Sequence, residues 1–280
     1  MLRNASLFIL AVALGLPLAG CGGSASSTTT AAPDSSAGLK IAGSTALLPL
    51  IKQASADFQA AHPDVKISVS GGGSRVGITQ SAQGAIDIGD SDIPPPGEPS
   101  LVDHAVAVVS FAVAVHPAAG VKNLTIAQIR DIFSGKMKNW KQAGGADQAI
   151  TIVNRPHSSG TRAVFVQKIM GGIQPTESGL TQDSSGTVAA IVAQTPGAVS
   201  YVASGYVKPG QQTAVAIGGA AMNDGNVKNG TYPFWSYEHM LTKGQAKGSA
   251  AAFIAFVTGD TALLRRLHFL SVKDAPAKST

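Results

Sequence analysis

The chain has 280 residues, a net charge of +5, 13% charged and 5% aromatic residues, and one cysteine, Cys21. A single cysteine excludes an internal disulfide, so the fold rests on a hydrophobic core that a chain of this length can supply in one or two domains. The basic excess is mild and spread along the chain without a dense Lys/Arg run or interleaved aromatics, which argues against nucleic acid as a partner and favours small anions.

Residues 1–20 hold Arg3, an apolar run from Leu7 to Ala19, and the ending Leu18-Ala19-Gly20 ahead of Cys21. This segment resembles a bacterial lipoprotein signal peptide, which implies cleavage before Cys21 and lipidation of that cysteine as the new N-terminus. The run is short of the roughly 20 apolar residues of a bilayer span. Several acyl chains hold a protein firmly, so the expected location is extracytoplasmic, anchored to a membrane at the periplasm or cell surface. Residues 21–38, rich in Gly, Ser, Thr and Ala, offer almost nothing to bury and read as a flexible tether.

Leu39 to Gly43 is a short β-type run, and Ser44-Thr45 then precedes Leu47, Leu48, Ile51, Ala54, Phe58 and Ala61 at helical spacing. His62-Pro63 ends that helix, Val65 to Val69 alternates as a strand does, and Gly71-Gly72-Gly73-Ser74 opens a second helix from Arg75 to Gln83. Ala85 to Gly89 predicts a further strand running into Asp90-Ser91-Asp92. In open α/β sheets ligands lie beyond the carboxyl ends of strands, which puts Asp92 near these turns. Read alone, each aspartate is equally a residue capping its own turn.

Val106 to Val115 is continuously apolar, too short for a bilayer span, and predicts a buried parallel strand that crosses into a second domain. Asn123 to Gly135 reads as a capped helix, with Trp140 in a surface loop after it. A strand over Ala149 to Val153 leads into Arg155-Pro156-His157-Ser158-Ser159-Gly160-Thr161-Arg162 and a helix from Ala163 to Met170. Thr187 to Ala193 predicts a helix, Ala198 to Val202 and Thr213 to Ile217 strands, and Lys247 to Thr258 an amphipathic helix. The alternation predicts an α/β fold of two lobes with ligand between them.

The segment 155–162 reads as an anion clamp. Hydroxyls and a glycine open a helix whose first N–H groups lack intrahelical partners and carry partial positive charge. Arg155 adds a planar fork of donors matched to carboxylate or phosphate oxygens. The plainer reading is that Ser158 and Ser159 only cap the helix.

Taken together, Gly43-Ser44-Thr45, Gly73-Ser74, Asp87-Ile88-Gly89-Asp90-Ser91-Asp92, Asn123-Leu124-Thr125, Ile132-Phe133-Ser134-Gly135 with Trp140, and Arg155 with Ser159-Gly160-Thr161 resemble, in order, the phosphate-binding lipoproteins of bacterial phosphate ABC importers, the PstS family. The resemblance runs from Leu39 to about Val257. It implies a type II periplasmic binding protein, expected to divide into residues 39–111 with 206–280 as one lobe and 112–205 as the other. It also implies a monomer that closes over inorganic phosphate and delivers it to membrane permease subunits. Carried over position by position, the phosphate-binding residues are Ser44, Thr45, Ala46 through its backbone, Ser74, Asp92, Arg155, Ser159, Gly160 and Thr161. Asp92 is the acceptor among donors, and hydrogen phosphate brings the P–O–H that needs one. The family usually places small or polar residues where Arg75 and Asp90 stand, often an acid near His157, and a bulky residue at Ala46. Arg75 is expected to pair with Asp90, the alternative being a ligand contact. His157 is either a bystander or a source of pH sensitivity.

Two other functions compete. A serine hydrolase or phosphatase using Ser74 or Ser159 lacks the G-x-S-x-G spacing, because Val76 stands where the second glycine belongs. No H-E-x-x-H or Cys/His cluster points to a metal, no cofactor is expected, and no catalytic residue is assigned. The other reading keeps the fold and exchanges the ligand for another oxyanion. Asp92 opposes fully deprotonated sulfate, molybdate or tungstate, and arsenate stays open.

Overall fold

The computed structural model describes residues 38–276; the leader 1–20, Cys21 and the tether up to residue 37 lie outside the described residues. The chain begins with strand Leu39–Gly43 (β1), helix Leu48–Ala61 (α1), strand Ile67–Ser70 (β2), helix Ser74–Gln83 (α2) and strand Ile88–Ser91 (β3). β1 lies between β2 and β3 and is parallel to both, with Ile41 opposite Val69 and Ile88. Each parallel step is bridged by a helix, as parallel neighbours require. α1 buries Leu50, Ile51, Ala54 and Phe58, one apolar stripe at helical spacing. Phe58 meets Phe253 edge-on at 5.4 Å.

A strand of 15 residues follows, Leu101–Val115 (β4), then Asn123–Leu124 (β5), helix Ile126–Phe133 (α3), strand Thr151–Asn154 (β6), helix Gly160–Lys168 (α4), Leu180–Thr181 (β7), helix Ser185–Gln194 (α5) and strand Ala198–Ala203 (β8). α3 starts with a reciprocal cap: Thr125 Oγ1 accepts from Gln128 N–H at 3.1 Å, and Gln128 Oε1 accepts from Thr125 N–H at 2.9 Å. The chain closes with Thr213–Ala214 (β9), Ala216–Ile217 (β10), helix Asp224–Lys228 (α6), strand Trp235–Lys243 (β11), helices Gly248–Gly259 (α7) and Thr261–Arg266 (α8), and Phe269–Leu270 (β12).

The sheet order is β2-β1-β3-β11-β4-β8-β6-β7, with β9 and β12 also on β4. β4 is the shared spine of two α/β lobes. Its first part, from Leu101 to Ser110, pairs with β11, while Phe111 to Val115 pairs with β8. The expected parallel strand is therefore corrected. β8, β9, β11 and β12 all run antiparallel to β4. An apolar run reports that both faces are covered, and it does so whatever the direction of the neighbours. β9 pairs with Ala114 and Val115, and β10 with β5, so the single strand expected over 213–217 is two short ones broken at Val215.

Trp140 is a second correction. It is fully buried rather than in a surface loop, because Asn139 caps a 3₁₀ turn that swings the indole inward, where its Nε1 donates to Gly197 O at 2.9 Å. Beneath α4, Phe165 stacks on Tyr201 at 4.2 Å and meets Phe133 at 4.7 Å, which fixes where α4 begins. Among the described residues, no helix is long and apolar enough to cross a membrane.

Candidate functional site

The ends of β1, β3 and β6 and the starts of α1, α2, α4 and α5 converge on one buried cluster. After β1, Ser44 Oγ accepts from the N–H groups of Ala46, 3.0 Å, and Leu47, 3.2 Å, which opens the path into α1. The same hydroxyl donates to Asp92 Oδ1. From the other side Thr161, in the first turn of α4, donates to Asp92 Oδ2 at 2.7 Å. The N–H of Asp92 donates to Ser74 Oγ at 2.9 Å, and its carbonyl accepts from Ser236 Oγ at 2.9 Å. Asp92 is 1% exposed and is thus clasped by hydroxyls from both ends of the sheet.

Arg155 follows β6 and is also 1% exposed. Its Nε donates to Gln182 O at 3.1 Å, and Nη2 to Asp183 O at 2.6 Å and Thr45 Oγ1 at 3.0 Å. Nη1 donates to Ser185 Oγ at 3.1 Å. Burial pulls its pKa down and the charge of Asp92 pushes it back up, so the guanidinium stays a fixed, oriented cation. Tyr206, whose phenol burial pushes up to about 12, donates to Thr45 O at 2.7 Å.

Two glycines let the loops touch. At Gly160, where α4 begins, an added Cβ would lie 2.1 Å from Ser74 Oγ and 2.9 Å from Asp92 Cβ. Gly73 has φ 92°, in the left-handed region, and a Cβ there would sit 2.8 Å from Ser158 O. Arg75 N–H then reaches Ser158 O at 3.1 Å.

The structure brings together the hydroxyls or backbone of Ser44, Thr45, Ser74, Asp92, Arg155, Gly160 and Thr161, with Ala46 turned toward Ser44. Ser159 caps α4, its Oγ accepting from Arg162 N–H at 3.2 Å; a hydroxyl that accepts still has its own proton to donate. Arg75 does not pair with Asp90. Its Nε donates to His157 O at 2.9 Å near the surface, while both oxygens of Asp90 are buried without a hydrogen-bond partner among the described residues. Arg75 is exposed at the start of α2, whereas Asp90 is enclosed within the wholly buried strand β3. Burial, reinforced by Asp92, raises the Asp90 pKa well above the usual carboxylate range. Glu238 on β11 is shifted the same way, through burial first, then the charges of Asp92 and Asp90 and a carboxyl–carboxyl contact with Asp92, to which its retained proton can be donated. His157 is 73% exposed and faces Glu177 at 3.7 Å.

Sequence reasoning missed Ser185, Tyr206 and Glu238. Ser185 had a visible signal, because Ser-Ser-Gly-Thr at 184–187 repeats 158–161 letter for letter. Tyr206 and Glu238 had none, since their places depend on pairings across more than 130 residues. Among the described residues no group of His, Cys, Asp or Glu side chains has the arrangement of a metal site.

Comparison with known proteins places this geometry. The family model of the PBP superfamily domain matches residues 24–261. The phosphate-binding protein PstS of Bacillus subtilis is 42% identical over 93% of this chain and 90% of its own length. The PstS of Methanocaldococcus jannaschii is 32% identical over 56% of this chain and 48% of its own. Among solved structures, a Clostridium perfringens protein described as a phosphate ABC transporter substrate-binding protein with bound phosphate superposes with a TM-score of 0.80 at 29% identity, covering 84% of this chain and all (100%) of that one. An ABC-type phosphate transport receptor from Vibrio cholerae gives 0.69 at 28% identity, covering 83% and 99%.

Proposed function

This chain belongs to the PstS family of phosphate-binding proteins, and from that premise we propose that it is a lipid-anchored extracytoplasmic receptor that closes on inorganic phosphate and delivers it to an ABC permease. The observation that carries the reading is Asp92, a buried carboxylate held by hydroxyls from both lobes beside the fixed cation of Arg155. In this reading the lobes divide as 39–111 with 206–280 and as 112–205, the short strands at 213–217 going with the second.

Phosphate oxygens replace the mutual bonds of the cluster. Arg155 balances the charge, and Ser44, Thr45, Ser74, Ser159 and Thr161 donate hydroxyl protons. The backbone around Ala46 and Gly160 adds N–H groups at helix starts, where partial positive charge favours an anion. Asp92 accepts the proton that hydrogen phosphate and dihydrogen phosphate carry. Sulfate has none at neutral pH, so it would face Asp92 as a second acceptor of like charge, at a cost of several kcal/mol by analogy with a buried unpaired charge. Phosphate therefore binds more tightly than sulfate by orders of magnitude, and arsenate, which keeps a proton, competes.

Cys21 carries the lipid, the tether lets the receptor reach the permease, and the closed form favoured by ligand is the one delivered. The protein acts as a monomer without cofactor and catalyses no reaction. The hydroxyls of Ser74 and Ser159 accept from Asp92 N–H and Arg162 N–H, and among the described residues neither is hydrogen-bonded to a histidine. Titration calorimetry on protein stripped of ligand tests the reading: one phosphate per chain is expected, with a smaller radius of gyration by X-ray scattering once it is bound. Absence of binding, or binding without compaction, would count against capture by closure.

A further inference from the structure

The two copies of Ser-Ser-Gly-Thr, at 158–161 and 184–187, each start a helix, but the cap falls on a different serine in each. In the first copy the second serine caps: Ser159 Oγ accepts from Arg162 N–H at 3.2 Å. In the second copy the first serine caps: Ser184 Oγ accepts from Thr187 N–H at 3.5 Å. The shift of one residue releases the Ser185 hydroxyl from capping. It is fully buried and points at the site, 3.0 Å from Thr45 Oγ1 and 3.1 Å from Arg155 Nη1.

Counting protons shows what this hydroxyl is left to do. Each hydroxyl accepts two hydrogen bonds and donates one. Thr45 Oγ1 already accepts from Arg155 Nη2 at 3.0 Å and from Ser185 N–H at 3.2 Å, so its own proton goes to Ser185 Oγ until a phosphate oxygen takes it. Ser185 Oγ then accepts from Thr45 and from Arg155 Nη1, which fills its two lone pairs as well. The Ser185 O–H is the surplus donor: among the described residues neither partner has an acceptor left for it. A buried donor without an acceptor is costly, and an anion oxygen beside Arg155 supplies one.

We propose that Ser185 is a phosphate-binding residue, donating its hydroxyl to a phosphate oxygen that Arg155 also holds. The inference rests on the reading of this cleft as the phosphate site. It also gives the segment 182–185 two roles at once, since the carbonyls of Gln182 and Asp183 aim the guanidinium and Ser185 supplies a donor beside it.

The test is calorimetric titration of phosphate into wild type, Ser185→Ala and Ser184→Ala, each stripped of ligand, with melting temperatures recorded alongside. Loss of one hydrogen bond to a charged ligand weakens phosphate binding by Ser185→Ala roughly 10- to 100-fold. Ser184→Ala loses a helix cap, so it melts earlier while its affinity stays within about twofold of wild type. If Ser185→Ala does not fold, Ser185→Thr and Ser185→Val, alike in shape and different in the hydroxyl, replace it, and the threonine variant binds phosphate more tightly by a similar factor. Wild-type binding matched by Ser185→Ala, or equal affinities for the Thr and Val variants, overturns the role of Ser185 and leaves the phosphate reading standing. A wild type that binds no phosphate overturns both.

Discussion

Asp90 and Asp92 stand two positions apart at the end of β3, each 1% exposed, and their surroundings treat them in opposite ways. Asp92 receives two hydroxyl protons, one from each end of the sheet, and shares its field with Arg155. Among the described residues Asp90 and its neighbour Glu238 receive none, and burial drives both toward the neutral form. Burial alone thus does not make a binding carboxylate. What separates the two regions is the supply of donors, which only the cleft side possesses.

The comparison breaks most completely at Arg155. Arg155→Met removes the buried cation from the site, and losing a two-pronged, charge-assisted hydrogen bond to phosphate costs about 3–5 kcal/mol. Phosphate affinity measured by calorimetry should fall by more than about 100-fold; a loss below tenfold would mean that the donors alone suffice. Asp92→Asn comes next. It removes the charge that accepts the ligand's proton and lowers the preference for phosphate over sulfate by roughly 10- to 100-fold, as expected for a hydrogen bond to a charged group.

Glu238→Gln sharpens the other side of the comparison. A raised carboxyl pKa means that the folded state keeps a proton that the unfolded chain releases above about pH 4. The stability that Glu238 contributes is therefore fully present below that range and is lost as pH rises toward its folded-state pKa. The amide has no proton to lose, so the melting temperature of Glu238→Gln should gain on wild type steadily from pH 5 to 8, and parallel profiles would show that Glu238 is not held neutral. The smallest effect belongs to Arg75→Ala. Its bond to His157 O joins the start of α2 to the turn before α4 but lies near solvent, and an exposed contact of this kind changes affinity by less than about fivefold.

Much of this was legible in the chain. The β1–α1–β2–α2–β3 run is written in helical stripes, strand alternation and glycine turns, and the anion-friendly turns at Thr45, Ser74 and Ser159 fall where short-range rules place them. What escaped is long-range. β11 was overlooked because Trp235-Ser236-Tyr237-Glu238-His239 carries polar letters in a central strand, buried only once β3 and β4 close on either side. The direction of β4 cannot be read from its own residues, and Trp140 is buried by a turn that only Asn139 betrays. The pairing expected between Arg75 and Asp90 failed because Arg75 stays at the surface of α2 while Asp90 is buried in a strand covered on all sides. Ser185 was readable from the repeated tetrapeptide, but a helix expected to start at Thr187 hid it.

The most direct measurement compares phosphate with sulfate by calorimetry on ligand-free wild type and Asp92→Asn at neutral pH. The expected result is a preference for phosphate of several orders of magnitude in wild type that shrinks sharply in the variant. Similar affinities for both anions in wild type, or an unchanged preference in Asp92→Asn, would contradict the claim that a buried acceptor selects an ion that still carries a proton.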